Sequence, residues 1–126
     1  MAKVAITTDK APKPAANYSP AVRKGNIVQV AGQVPFDPAT GEIVGATVGE
    51  QTRQVFANLE ALLTEAGSGW QDVVMVRAYL TDREHFGAFN EVYNELMPQP
   101  YPARTTVYCG LAAGLLVEID LLAVLD

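Results

Sequence analysis

The chain is short of the residues on which most enzyme chemistry depends. It has one histidine, His85, and one cysteine, Cys109, in 126 residues. One cysteine excludes an intrachain disulfide and suits a reducing compartment. With one histidine, in a predicted helix where a solvated side chain is expected, neither a histidine-based metal cluster nor a serine triad can be assembled. Cys109 has no histidine near it in sequence and reads as a buried strand cysteine rather than a nucleophile. Positive charge is also scarce, with 9 Lys and Arg against 14 Asp and Glu and no basic run longer than Arg23-Lys24. Phosphate contacts need positive charge, so nucleic acid is a poor default partner. No G-x-G-x-x-G, Walker, C-x-x-C or H-E-x-x-H pattern occurs, which argues against nucleotide and metal cofactors. No run approaches the ~20 apolar residues of a membrane span, and the N-terminal segment lacks the apolar core of a signal peptide. A soluble, cytoplasmic protein is expected.

Apolar residues, by contrast, are plentiful: 49% of the chain is hydrophobic and 18% charged. The length fits one domain over residues 1–126. A small domain buries a smaller share of its surface than a large one, so the surplus apolar surface predicts contact with another subunit.

Hydrophobic periodicity predicts strands over Lys3 to Thr7 and Asn26 to Gly32, separated by a proline-broken loop, Asp9 to Pro20, that carries Tyr18. Thr47 and Glu50 form a capping-box pattern ahead of a helix whose Val48, Val55, Leu59, Leu62 and Ala66 share one stripe, with Gly67 as its stop. Val73 to Leu80 is an apolar run interrupted only by Arg77, as expected for a strand covered on most of both faces. Thr81 and Glu84 repeat the capping-box pattern before a second helix bearing Phe86, Phe89, Tyr93 and Leu96, which must end near Met97 because Pro98 cannot continue it. Two further strands follow, Thr105 to Cys109 and Leu116 to Val124. The order predicts an α+β layer with both helices on one face of a mixed sheet. The other face then needs cover, which neighbouring subunits would supply, leaving Glu118 in or near an intersubunit cleft.

The residues left for chemistry are Arg104, Glu118, Tyr18, Tyr101, Thr105, Thr106 and Asn90. Arg104 sits in Pro100-Tyr-Pro-Ala-Arg104-Thr-Thr-Val-Tyr-Cys109, where two prolines restrict the approach to a β-branched run. It is either an ordinary strand-surface residue or a guanidinium pre-organised to grip a carboxylate through two parallel hydrogen bonds. Glu118 is either a rim or structurally paired charge or a group that handles water. Pairing of the last two strands would bring the two into one pocket, sufficient for hydrolysis of an activated C=N bond without metal or covalent catalysis.

The stretch Pro102-Ala-Arg104-Thr-Thr-Val, followed by Val117-Glu-Ile-Asp-Leu-Leu-Ala-Val124, resembles the Rid (YjgF-like) family of reactive-intermediate deaminases. Gly25-Asn-Ile-Val-Gln-Val-Ala-Gly-Gln-Val-Pro35, Asp37-Pro-Ala-Thr-Gly-Glu42 and Phe89-Asn-Glu-Val-Tyr93 extend the resemblance nearly end to end. It implies a chorismate-mutase-like fold, a homotrimer with sites between subunits, no cofactor, and hydrolysis of enamines and imines such as 2-aminoacrylate and 2-iminopropanoate to 2-oxo acids and ammonia. By position it implies that Arg104 binds the substrate carboxylate, Glu118 orients the attacking water and Tyr18 is the site tyrosine, with Gly32 and Asn90 lining the pocket. Thr106 departs from a cysteine common in the family two residues after the arginine, which implies altered pocket polarity and substrate preference with activity retained. A non-catalytic carboxylate-binding or regulatory module is the alternative, and a ribonuclease or translation inhibitor a further one that the acidic charge balance disfavours.

Overall fold

The computed structural model describes residues 1–126. Strands β1 (Val4–Ile6), β2 (Ala21–Lys24) and β3 (Ile27–Gln33) precede helix α1 (Val48–Glu65). Strand β4 (Val73–Leu80), helix α2 (Phe86–Leu96) and strands β5 (Ala103–Tyr108) and β6 (Val117–Val124) follow. One six-stranded mixed sheet runs β1-β2-β3-β6-β4-β5, and only the β4–β5 pairing is parallel. That pairing needs a crossover, which α2 provides.

Local chemistry accounts for most of these elements. The Thr47 side chain accepts from Glu50 N and the Glu50 carboxylate returns to Thr47 N, so two orphan donors at the start of α1 are satisfied. The stripe read from the sequence is the buried face of the helix. At its end Gly67 adopts φ +79°, and Ser68 N reaches back to Leu63 O. The expected box at Thr81 and Glu84 does not form. Asp82 caps instead, accepting from Glu84 N and starting a 3-10 turn over Arg83–His85, so α2 begins only at Phe86. His85 lies at that junction, half-buried, with Nδ1 3.4 Å from Thr81 Oγ1.

Strand β2 is absent from the sequence-based strand assignment. It joins β3 through the two-residue turn Gly25-Asn26, with Gly25 at φ +59°. Arg23 Nη1 then donates to Ala66 O at 2.8 Å and ties this hairpin to the C-terminal end of α1. Cys109 is exposed, one residue past β5, where an interior strand position was expected.

Both helices cover one sheet face. Val28 and Val30 of β3, Val76, Ala78 and Leu80 of β4, and Val117, Ile119, Leu121 and Ala123 of β6 point into that core with Leu59, Leu62 and Phe89. Complete burial of such a side chain contributes about 1.5–3 kcal/mol. The other face is uncovered in the single chain, so β4 is covered on one side only, with Val74 and Arg77 exposed. Ile27, Val107 and Val124 are exposed and Met75 and Leu122 half-buried on this open face. Two buried amides set the loops around it. Asn58 Nδ2 donates to Val34 O and Phe36 O, while Gln51 bridges Gly45 O, Gly114 O and Leu116 N. No helix is long and apolar enough to cross a membrane.

Candidate active site

The sequence-predicted site residues fall into two groups on opposite sides of the sheet. Arg104 and Thr106 of β5 lie in register with Val76 and Ala78 of β4, hence on the helix-covered side of the edge strand. The Arg104 Cζ atom lies 4.4 Å from the Tyr93 ring centroid, 5.6 Å from Phe89 and 5.7 Å from Phe86. These rings are the apolar stripe of α2, so the same periodicity that buries the helix also builds a cradle for the cation. Asn90, four residues after Phe86, flanks that stripe and is half-buried. The ion pairs of the chain are Arg53–Glu95 and Arg77–Asp120, and neither engages Arg104. Its guanidinium fork remains free for an anion. Burial pushes the Tyr93 phenol above its ordinary range, and the Arg104 charge opposes that shift.

Glu118 belongs to the second group. It pairs with Tyr79 across β6 and β4 and projects from the open face. Its carboxylate packs against Gly32 so closely that a Cβ added there would overlap Oε2. Glycine at that position lets the carboxylate approach the backbone; a larger residue would push the flexible Glu118 side chain aside. Gly32 and Tyr18 together line a narrow cavity of about 60 Å³ with Pro12, Pro14 and Phe36. Burial first, and the nearby Asp120 charge second, raise the proton affinity of Glu118 above the ordinary carboxylate range.

Arg104 and Glu118 therefore do not share a pocket within one chain. Their strands are consecutive in sequence, yet β4 lies between them and their side chains leave opposite faces. Sequence reasoning passed over Arg77 and Tyr79, which hold Asp120 beside Glu118; the signal for them was the lone charge interrupting the apolar run of β4. No group of His, Cys, Asp and Glu side chains is arranged to hold a metal ion.

The family described as Endoribonuclease L-PSP matches residues 8–125, nearly the whole chain. The chain belongs to this family, the Rid/YjgF/RutC proteins. A RutC family protein of Pyrococcus abyssi is 47% identical to this Rid-family chain over 124 residues, 98% of each. A 2-iminobutanoate/2-iminopropanoate deaminase of Dermatophagoides farinae is 34% identical over 122 residues, 96% of this chain and 95% of its own. Among solved structures, RidA from the Antarctic bacterium Psychrobacter sp. superposes with a TM-score of 0.93 at 40% identity, covering 97% of this Rid-family chain and 99% of its own. The six-stranded sheet with two helices is thus the fold of the Rid structures.

Proposed function

We propose that this protein is a cytoplasmic deaminase that hydrolyses reactive enamines and imines of the 2-aminoacrylate and 2-iminopropanoate type to 2-oxo acids and ammonia. One observation carries the reading. An unpaired guanidinium cradled by three aromatic rings and a glutamate of raised proton affinity leave opposite faces of one sheet, which supports reading each as half of a site. A second copy of the chain completes each half, in a homotrimer whose contacts cover Ile27, Leu122 and Val107 of the open face. The relative named as a 2-iminobutanoate/2-iminopropanoate deaminase supports the same chemistry.

In this site Arg104 holds the substrate carboxylate through its two parallel N–H groups, which fixes the position of C2. The enamine tautomerises to the imine, whose C2 is already electrophilic. Glu118 accepts a proton from a water as its oxygen adds to C2, with the C=N electron pair moving to nitrogen. Glu118 hands that proton to the nitrogen to give the neutral carbinolamine, then takes the hydroxyl proton as the carbonyl re-forms and the C–N bond breaks, and passes it to the departing nitrogen, which leaves as ammonia. A carboxyl whose proton affinity lies above the usual range suits both transfers. Tyr18 and Gly32 wall the water side, Asn90 and Thr106 the carboxylate side. Thr106, with a hydroxyl beside Arg104, sets substrate preference rather than chemistry. The site takes no cofactor and no metal.

The test is a coupled assay. A serine or threonine dehydratase supplies the intermediate, and 2-oxo acid release is followed with and without this protein. Acceleration by native protein that disappears in Arg104→Ala and in Glu118→Gln supports the reading. Binding of 2-oxo acids with no acceleration would replace it by a carboxylate-binding module. The family description favours a second reading, RNA cleavage, which the net charge of −5 opposes. Cleavage of RNA by the native protein but not by these variants would establish it.

A further inference from the structure

The open sheet face carries a polar cluster beside Glu118 with no part in the steps above. Arg77 and Tyr79 of β4 stand directly across from Asp120 and Glu118 of β6. Arg77 Nε donates to Asp120 Oδ1 at 2.6 Å, and the Tyr79 hydroxyl donates to Asp120 Oδ2 at 2.8 Å. Both Asp120 oxygens are thus engaged, and the side chain is only 13% exposed. Glu118, two residues along the same face, receives no such donor and leans on Gly32. Two residues of strand place the two Cα atoms roughly 7 Å apart, close enough for one carboxylate to sense the other.

Building on the deaminase reading, we propose that Asp120 is a positioning residue: clamped by Arg77 and Tyr79, it fixes one negative charge beside Glu118 and sets the pH at which Glu118 exchanges its proton. The clamp divides the roles of the two carboxylates by giving Asp120 the donors and leaving Glu118 without any. The hydrogen bond to Asp120 pushes the Tyr79 phenol above its usual range, which keeps it a donor throughout the working pH range. In the proposed trimer a second copy's Arg104 faces Glu118 in all three proteins compared below, and within the chain the other groups around it are few. Strand β3 presents uncharged Gly32 and Gln33, and the loop before β2 brings Lys13 and Tyr18 to the cavity at Gly32.

The experiment compares pH profiles of kcat/KM for native protein, Asp120→Asn and Arg77→Gln. Asp120→Asn removes the neighbouring charge and moves the acid limb to lower pH by about 0.4–1.7 units, the range for charges near 7 Å between aqueous and protein-surface screening. Arg77→Gln removes the countercharge and moves the limb to higher pH by a smaller amount. Opposite displacements are not produced by loss of packing. Limbs unmoved within about 0.3 unit, or displaced in the same direction, overturn the proposal. Carbon-13 NMR titration of the Glu118 carboxyl in the same three proteins reads the clamp without turnover. If native protein accelerates no imine hydrolysis, the deaminase reading falls while that titration still decides the clamp. If Asp120→Asn does not fold, Arg77→Gln carries the test, since its side chain is half exposed and off the core.

Discussion

Replacing Arg104 separates its packing on the rings of α2 from the carboxylate-binding task that the proposed site assigns to it. Its guanidinium carbon lies 4.4–5.7 Å from three ring centroids of α2, and no carboxylate of the chain pairs with it. A cation over an aromatic face contributes about 0.5–1 kcal/mol at a partly exposed position. One charge shared among three rings, with the packing of its stem, puts the folding cost of Arg104→Ala at ~1–2 kcal/mol. That lowers Tm by roughly 3–10 °C for a domain of this size. The effect on substrate is larger. Loss of a charge-assisted bidentate contact costs about 2–3 kcal/mol, or about 30–150-fold in kcat/KM.

Arg104→Met tells the two apart. Methionine keeps a stem of similar reach and packs well on aromatic rings, so it recovers most of the Tm while activity stays low. Arg104→Lys keeps charge without the fork and falls between, about tenfold below native. The measurements are thermal melts and the dehydratase-coupled release of 2-oxo acid at several dehydratase levels. Turnover of Arg104→Met within about threefold of native would refute the clamp, because packing alone would then account for the residue.

Three further outcomes follow from the same geometry. Gly32→Ala forces the Glu118 carboxylate aside, and activity drops at least about tenfold while Tm changes little, since the displaced atom ends a flexible side chain; melts and the coupled assay check both. Glu118→Gln abolishes turnover yet raises Tm at neutral pH. Burial raises the Glu118 pKa on folding, so the ionised form is penalised in the folded chain; the penalty is absent where both states are protonated, near pH ~3, grows from the ordinary carboxylate value up to the folded one and levels off above it. Melts from pH 3 to 8 show the difference between the two proteins closing at the acid end. Leu122→Asp places a charge on the open sheet face; if the proposed homotrimer buries that face, sedimentation equilibrium finds the native protein as three copies and the variant as the 13.5 kDa chain.

Elements set by local chemistry were legible in the sequence, and those set by strand order were not. Helix α1 could be read from its capping box and stripe because both are satisfied within neighbouring turns. At α2 two local caps compete, and Asp82 prevails over Thr81 by reaching Glu84 N. Strand β2 has only four residues, two of them charged, and its sole signal is the Gly25-Asn26 turn. The identities of Arg104 and Glu118 as candidates rest on residue type and motif, which the chain displays directly. Their separation rests on β6 entering the sheet between β3 and β4, a non-local pairing that no window of sequence contains.

That insertion makes the strongest test of where the site lies. If Arg104 of one copy and Glu118 of another build each site, Arg104→Ala trimers keep at most about 3% of native turnover and Glu118→Gln trimers none, because each lacks one half everywhere. Mixed trimers behave differently. Where an Arg104→Ala chain supplies its intact Glu118 beside a Glu118→Gln chain supplying its intact Arg104, the pair is whole. Random reassembly of equal amounts restores about one quarter of the sites of a closed ring of three copies. Unfolding and refolding the variants together therefore brings activity to about a quarter of the native value, while variants refolded separately and then combined stay at their residual level until subunits exchange. A pocket within one chain predicts no recovery under either protocol, since every chain then carries a defect in its own site. The same mixture measured against protein ratio gives a maximum at equal amounts and falls to each variant's own residual level at the ends, a dependence that contamination by native protein does not produce.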